Sequence, residues 1–231
     1  MKKYLWCLVF LLLLSGCGKK EQKVQSTEPN ADSGAVSEVQ EKKQRLELPY
    51  ELDGGKLVLK AIFQSTIANP DCNDKEGENI ASVEILNQSG EFLSSADITV
   101  ILEDGTELNF RIMDIPAGTA VWAFETGNAE ITQNPACQSI NCKAEYEAVT
   151  PIMELLNTEE NGTSVTFQNL TDNNLTDLNA SFHCLFEENV YYGGITCQYP
   201  IEEIPAGESI TLEIEECYLG SAQAVRVEQK K

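Results

Sequence analysis

Histidine is nearly absent from this chain, since His183 is the single histidine among its 231 residues. A Ser-His-Asp or Cys-His catalytic site would therefore have to use His183. Its neighbours Phe182 and Cys184 lie on the apolar face of an alternating segment, so we expect His183 to point outward from a sheet. The chain also lacks the Gly-x-Ser-x-Gly elbow that exposes a nucleophilic serine. These absences predict a protein that is not an enzyme.

Basic residues are also scarce: 16 Lys and Arg stand against 37 Asp and Glu, for a formal net charge of −21. Binding to nucleic acid depends on clustered Lys and Arg that release phosphate counterions, so a nucleic-acid partner is excluded. An acidic surface repels anionic polymers and leaves cationic partners open. We predict no bound cofactor.

The longest apolar run, Leu5 to Leu14, is too short to cross a bilayer, which takes about 20 residues. It follows a basic start and precedes Ser15-Gly16-Cys17, an order typical of a secretory signal. The Leu-Ser-Gly-Cys ending resembles a bacterial lipobox. That resemblance implies removal of residues 1–16, acylation of Cys17 with chains such as palmitate, and anchoring on the extracytoplasmic face of the cell membrane. An uncleaved transmembrane helix is the alternative.

Residues 17–47 form the predicted lipidated linker. Gly18 to Glu47 contains no aromatic residue and is rich in Lys, Gln, Glu, Ser and Asn. Such a composition buries too little apolar surface to offset chain entropy, so we expect this segment to be disordered. A flexible chain of that length reaches about 30 Å, enough to hold a folded part clear of the membrane.

From Leu48 onward, apolar residues alternate with polar ones, which is the period of a half-buried β-strand. Asp104-Gly105 lies between two alternating segments and predicts a tight hairpin. No stretch of comparable length has helical spacing, so the predicted fold class is all-β. The clearest strand places five residues on one face: Leu178, Ala180, Phe182, Cys184 and Phe186.

An internal repeat divides this all-β region. Asn87 recurs as Asn169 at an offset of 82 residues, and Ile115-Pro-Ala-Gly recurs at Ile204 at an offset of 89. The seven additional residues fall in a predicted hairpin, where an insertion breaks no strand. We predict two tandem immunoglobulin-like β-sandwich domains, 48–150 and 151–231, each with its own sheets and with the two asparagines in equivalent turns. A single large sandwich is the alternative.

The order of motifs in the first copy is Asn87 to Gly90, an apolar strand, the Asp104-Gly105 hairpin and Ile115 to Gly118. This order resembles the FxLYD-type sandwich modules of bacterial envelope lipoproteins. The resemblance implies a binding or spacer role and brings no catalytic residues. We therefore expect a lipid-anchored envelope protein that binds an unknown envelope protein or ligand. An accessory subunit of an envelope enzyme or transporter is the alternative.

Six cysteines remain once Cys7 leaves with the signal and Cys17 is lipidated. An even number of cysteines in an exported chain predicts disulfides, although the connectivity stays open. A zinc site is the alternative, but Cys137 and Cys142 form the only closely spaced pair and no second pair lies nearby. The candidates are Cys72, Cys137, Cys142, Cys184, Cys197 and Cys217.

The spacing of these cysteines suggests pairings. Cys184 and Cys197 are equidistant from position 190.5, the centre of the predicted second hairpin, so we expect a disulfide between facing strands. Cys72 is expected to bond Cys137 or Cys142, unless those two cysteines bond each other. The remaining cysteine, Cys217, has no assigned partner.

Two loops hold candidate binding residues. Tyr191 and Tyr192, followed by two glycines, lie at the predicted tip of the second hairpin and are typical of an exposed recognition loop. A Tyr folded back over the sandwich edge is the alternative. The acidic loop from Asp71 to Glu78 lacks the spacing of a helix-loop-helix calcium site, because its sixth position is Glu76 rather than glycine. An irregular calcium site remains open there, although we predict no metal.

Overall fold

The computed structural model describes residues 45–133, 135–147 and 151–230. The predicted signal peptide 1–16, Cys17 and most of the predicted linker 17–47 lie outside the described residues. Within the described residues the chain is all-β, as predicted, and none of its helices is long and apolar enough to cross a membrane.

The short 3-10 helices are Asp53–Gly55, Pro70–Cys72, Pro151–Leu155 and Glu215–Cys217. The strands are β1 (Tyr50–Leu52), β2 (Leu57–Ser65), β3 (Ile80–Asn87), β4 (Phe92–Leu102), β5 (Glu107–Ile115), β6 (Ala120–Phe124), β7 (Cys137–Glu147), β8 (Leu156–Asn161), β9 (Ser164–Asn169), β10 (Leu175–Glu187), β11 (Val190–Ile204), β12 (Ser209–Glu213) and β13 (Ser221–Gln229).

The strands follow the alternation of the sequence. In β5, every second residue from Leu108 to Ile112 is buried and the residues between them are exposed. The hairpin between β4 and β5 turns at Asp104-Gly105, as predicted. Gly105 donates its N–H to the Leu102 carbonyl at 3.0 Å and has a φ of 88°, a conformation that side chains disfavour.

The two copies of the repeat have the same strand order. The first copy has β2-β3-β6 in one sheet and β5-β4-β7 in another, with β1 added beside β2. The second copy has β8-β9-β12 and β11-β10-β13 in the same arrangement. Each copy has a hydrophobic core, and the first core also receives Tyr191 and Val225 from the second copy.

Asn87 closes a turn in the first copy. Its side-chain amide donates to the carbonyls of Glu91 at 2.9 Å, Ile115 at 2.9 Å and Pro116 at 3.2 Å. Its Oδ1 accepts the N–H and hydroxyl of Ser89. One buried side chain therefore joins the start of β4 to the end of β5.

Asn169 makes the same set of contacts in the second copy. Its amide donates to the carbonyls of Asn173 at 2.8 Å, Ile204 at 2.9 Å and Pro205 at 3.3 Å. Its Oδ1 accepts the N–H and hydroxyl of Thr171. The predicted equivalence of the two asparagine turns is therefore confirmed at the level of individual hydrogen bonds.

One seven-stranded sheet, β1-β2-β3-β6-β11-β10-β13, takes strands from both copies. The expectation that each copy keeps its own sheets is therefore wrong. β6 pairs in parallel with β11, where Trp122 is the register partner of Tyr192. This pairing satisfies edge groups that separate sandwiches would leave open. A sheet that runs through both copies counts against two separate domains, and a small cluster of Ile80, Phe124 and Tyr192 also joins the copies. The shared strand order and the equivalent asparagine turns are what remains of the predicted repeat.

Among the described residues one disulfide is present, between Cys184 and Cys217, whose Cα atoms are 4.9 Å apart. The predicted Cys184–Cys197 bond is wrong for a geometric reason. The hairpin turns between Glu187 and Val190 rather than around position 190.5. A bulge in β11 then shifts the register, so that Phe182 rather than Cys184 is opposite Cys197.

The other predicted pairings are also wrong, because Cys72, Cys137, Cys142 and Cys197 are free thiols. Cys137 and Cys142 lie in one strand, where five residues span about 16 Å, far beyond the reach of a disulfide. Cys72 ends a helix that packs against β6 and β11, whereas β7 pairs with β4 in another sheet.

Leu46 falls within the predicted linker 17–47 but makes contacts with the first copy. Leu46 donates its N–H to the carbonyl of Cys137 at 3.1 Å and packs against the first core.

Candidate functional site: a cleft at the junction of the two copies

Asp71 joins the two copies. Its carboxylate accepts backbone N–H groups from Phe124 at 2.8 Å, Gly194 at 2.8 Å and Ile195 at 3.0 Å. Phe124 belongs to β6 and the other two residues belong to β11, so one side chain bridges the strands at which the copies meet. Asn69 orients this residue by accepting the Asp71 N–H at 3.0 Å.

The carboxylate of Asp71 is buried, and burial raises its pKa to about 6, although the three backbone donors act to lower it. Asp71 is one of the residues considered for an irregular calcium site, and its oxygens are occupied by backbone donors. In the part of the chain that the structure describes, no group of three or more His, Cys, Asp or Glu side chains is placed to hold a metal ion.

Two glycines permit this contact. Gly193 has a φ of 88°, and a Cβ on Gly194 would lie 2.2 Å from the Arg111 carbonyl oxygen. The same Cβ would lie 3.2 Å from Oδ2 of Asp71. Any side chain at Gly194 would therefore push β11 away from β5, so this glycine serves close packing between the copies.

Tyr191 and Tyr192 are 2% and 5% exposed, so the prediction that they form an exposed recognition loop is wrong. Both lie in β11 beside β6. The Tyr191 hydroxyl donates to Gln223 Oε1 at 2.9 Å, and the Tyr192 hydroxyl donates to the Ala68 carbonyl at 2.9 Å. Burial raises the pKa of both phenols. They pack on opposite faces of the shared sheet, because neighbouring strand residues alternate.

His183 is 1% exposed, so the prediction of an exposed histidine is wrong as well. Its ring stacks on Tyr191 at 4.5 Å, and Nε2 donates to the Met113 carbonyl at 2.7 Å. Nδ1 has no hydrogen-bond partner among the described residues. Burial lowers the pKa of His183 to about 4 and keeps the ring neutral. His183 does lie on the face of its strand opposite Phe182 and Cys184, as predicted, but β5 of the first copy covers that face.

Arg226 forms a second link between the copies. Its Nη1 lies 2.9 Å from Oδ1 of Asp114, Nη2 pairs with Glu147, and Nε lies 3.2 Å from Oε2 of Glu228. Thr196 donates its hydroxyl to the other oxygen of Asp114 at 3.2 Å. Burial raises the pKa of Asp114, while the Arg226 guanidinium acts to lower it. Asp114 and Glu147 belong to the first copy, and Arg226 belongs to the second.

A cavity of about 140 Å³, here called the junction cleft, opens beside these contacts. Pro70 and Asp74 form the wall from the first copy. The wall and floor from the second copy include aromatic rings, one acid and two cysteines. The lining residues are Pro70, Asp74, Phe182, Cys184, Tyr192, Ile195, Thr196, Cys197, Glu216 and Tyr218.

Three further depressions, of about 420 to 520 Å³, are more open to solvent, and no aromatic residue lines them.

Both walls of the junction cleft are fixed. The Cys184–Cys217 disulfide holds the segment that carries Glu216 and Tyr218 against β10. Asp71 holds the opposite wall to β6 and β11. Tyr192, on the floor, packs edge-on against Phe124 with ring centroids 5.1 Å apart. The cleft is therefore preformed, as binding pockets usually are.

Two acidic residues line the cleft, Asp74 from one copy and Glu216 from the other. Glu216 accepts the hydroxyl of Tyr199 at 2.5 Å. Neither acid is paired with a Lys, Arg or His among the residues described here. Burial raises the pKa of the Cys197 thiol to about 12, which makes this cysteine a poor nucleophile.

The cleft does not follow from the sequence, although one feature of the sequence points to its floor. Ala120–Phe124 is apolar at every position, which is typical of a strand buried on both faces rather than of a half-buried one. That pattern indicates a neighbour beyond the first core. Two adjacent acids such as Glu215 and Glu216 are typical of solvated surface, and nothing local in the sequence links Glu216 to Asp74.

No protein-family model matches this sequence, and a comparison with curated proteins finds no match.

Proposed function

We propose that this chain is a lipid-anchored binding protein of the bacterial cell envelope, without enzymatic activity of its own. The Leu14-Ser15-Gly16-Cys17 ending of the signal supports the anchor at Cys17. One structural observation carries the binding role: the two copies are locked together around a preformed cleft. The linker would hold this rigid head away from the membrane.

The placement of the reactive side chains supports a binding role over catalysis. Asp71 is committed to three backbone donors, and His183 donates to a backbone carbonyl while stacked on a buried ring. Arg226 is paired with acids of both copies. Groups that could carry acid–base chemistry are thus used to join the copies.

We also propose that each copy is an immunoglobulin-like sandwich. If the strands of a copy are lettered in order from β2 or β8, one sheet is a-b-e and the other is d-c-f. The immunoglobulin fold likewise has strands A, B and E in one sheet and C and F in the other, but its strand D lies beside E, whereas strand d pairs with c here. The identical order in both copies supports tandem domains that share an edge.

The anchor is tested by expressing the full chain in a bacterium and analysing the membrane-extracted protein by mass spectrometry. We expect loss of residues 1–16 and a diacylglyceryl group on Cys17. Cys17→Ser should abolish lipidation, whereas Cys72→Ser, a change at a free thiol, should leave it intact. A soluble protein that retains residues 1–16 with an unmodified Cys17 would refute the anchor.

The binding role is tested by site-specific photo-crosslinking in native membranes. A photoreactive residue at Tyr218, which lines the cleft and is 57% exposed, should crosslink to an envelope component. The same residue at exposed Asn157 in β8 serves as the control and should not give that product. Identical products from both positions would contradict binding at the cleft.

A further inference from the structure

We propose that the junction cleft binds one basic side chain, arginine or lysine, presented by a partner protein. The inference rests on the binding role proposed above and adds the chemistry of the partner. It depends on the size of the cleft, its lining, its rim and the charge of the whole chain.

The size of the cleft selects a single side chain. Pockets for whole small molecules or cofactors typically enclose about 300 to 1,000 Å³. The junction cleft encloses about 140 Å³ and is bounded by a disulfide on one side and by the segment anchored through Asp71 on the other. Its walls therefore leave room for one inserted group and not for a cofactor.

The lining of the cleft selects a cation. Tyr192 and Tyr218 bring aromatic rings, whose faces attract ammonium and guanidinium groups. Asp74 and Glu216 bring carboxylates from opposite walls, and neither is paired with a cation among the described residues. A guanidinium group can stack on a ring and bind a carboxylate through the same planar fork, which favours arginine over lysine.

The rim of the cleft favours a protein as the source of this cation over a free amine. Ile195 is 39% exposed and Tyr218 is 57% exposed, and Leu219, the next residue along the chain, is 38% exposed. A free amine would fill the cavity without covering these apolar side chains. A side chain carried on a polypeptide would place neighbouring residues over them, and such neighbours add apolar burial.

The overall charge of the chain supports the same partner. With a formal net charge of −21, the protein attracts a basic partner over distance and repels an acidic one. Salt screens this attraction more strongly than it screens contacts inside the cleft. Two variants therefore separate binding at the cleft from the long-range attraction by the net charge: one variant removes a charge at the cleft, and the other removes a charge elsewhere.

The experiment measures binding by calorimetry with the full chain as purified from the expressing bacterium, in phosphatidylcholine nanodiscs if it carries the lipid and in detergent-free buffer if it does not. The probe is the peptide acetyl-Gly-Leu-Arg-Leu-Gly-amide, and its matched control carries uncharged citrulline in place of arginine. We expect the arginine peptide to bind about two- to fivefold more tightly than the citrulline peptide, the gain typical of a partly exposed cation–aromatic contact.

Two variants locate the binding. Glu216→Gln and Tyr218→Ala should each weaken the arginine peptide about two- to fivefold. Glu216→Gln keeps an oxygen acceptor for the Tyr199 hydroxyl, and Tyr218 is exposed, so both variants should fold, which a melting curve checks. Glu187→Gln removes the same charge from an exposed position near the hairpin turn and should leave both affinities unchanged.

Three results would overturn the inference: no binding of the arginine peptide, equal affinity for the citrulline peptide, or equal losses from Glu187→Gln and Glu216→Gln. If crosslinking at Tyr218 captures an envelope component but the peptides are not distinguished, this inference fails and the proposed binding role stands. If the arginine peptide binds as expected but Cys17 is not lipidated, the cation site stands and the proposed anchor fails.

Discussion

The carboxylate of Asp71 and the backbone amide of Gly194 are 123 residues apart in sequence and 2.8 Å apart in the structure. This hydrogen bond joins the helix before β3 to the bulge in β11. The same carboxylate oxygen accepts the N–H of Phe124 in β6 at 2.8 Å. Asp71 therefore fixes the parallel pairing of β6 with β11, on which the shared sheet depends.

We expect Asp71→Ala to lower the free energy of unfolding by about 2 to 5 kcal/mol, because it leaves buried donors at Phe124 and Gly194 without an acceptor. Urea denaturation near neutral pH measures the loss. Asp97→Ala is the control, since that side chain is 63% exposed and makes only a 3.6 Å surface pair. Equal effects of the two substitutions would contradict a joining role for Asp71.

Asn87→Asp and Asn169→Asp should each destabilise the protein by about 2 to 4 kcal/mol, because each places a carboxylate opposite three backbone carbonyl oxygens. The two losses should be similar because the contacts are equivalent. Chemical denaturation compares them with Asn157→Asp, a change at an exposed position. A large loss at one asparagine and none at the other would show that the two turns are not energetically equivalent.

His183 should make the protein sensitive to acid. Its pKa is lowered to about 4 in the folded state, so the folded protein binds fewer protons than the unfolded chain between that value and the ordinary 6.5. The stability contributed by neutral His183 is present above pH 6.5 and is lost as pH falls toward 4. The loss amounts to about 3 kcal/mol.

The test compares the native protein with His183→Phe across this range. Asp71, whose pKa is raised to about 6, changes stability in the opposite direction, but it is common to both proteins and cancels in the difference. The stability advantage of the native protein should shrink by about 3 kcal/mol between neutral pH and pH 4, as measured by urea denaturation. Parallel stability curves would show that His183 does not titrate as the structure requires.

The Cys184–Cys217 disulfide closes a loop of 33 residues and should contribute about 3 to 4 kcal/mol to stability. Cys184→Ser should lose this amount and should no longer respond to reducing agent. Cys72→Ser, at a free thiol, should keep the response. Nonreducing peptide mapping checks the pairing, and a linked peptide that joins Cys184 to Cys197 would contradict it.

The sequence predicts features that depend on local geometry. Alternation is a property of the pleated strand, so the faces of β5 and β10 follow from residue order alone. The turns at Asn87 and Asn169 are alike because similar local residues make the same hydrogen bonds. Gly105 likewise predicts its hairpin, because glycine readily adopts the positive φ that the turn requires.

Features set by distant parts of the chain do not follow from the order of neighbouring residues. Alternation places His183 on a face but does not reveal that Met113, 70 residues earlier, covers it. The bulge at Gly194 depends on Asp71, and it shifts the register that would have paired Cys184 with Cys197. The junction cleft combines walls from both copies, so no single segment of the sequence contains it.

The two copies also differ at one edge. In the part of the chain described by the structure, β12 pairs only with β9, whereas its equivalent, β6, also pairs with β11. A second molecule could pair with β12 in the same way only through its own β5, because β5 is the equivalent of β11. That edge is already used: Asn109 bonds Glu125 and Thr126, and Met113 bonds His183. The contact that unites two copies within one chain is thereby blocked between chains, so this edge does not support head-to-tail association of molecules.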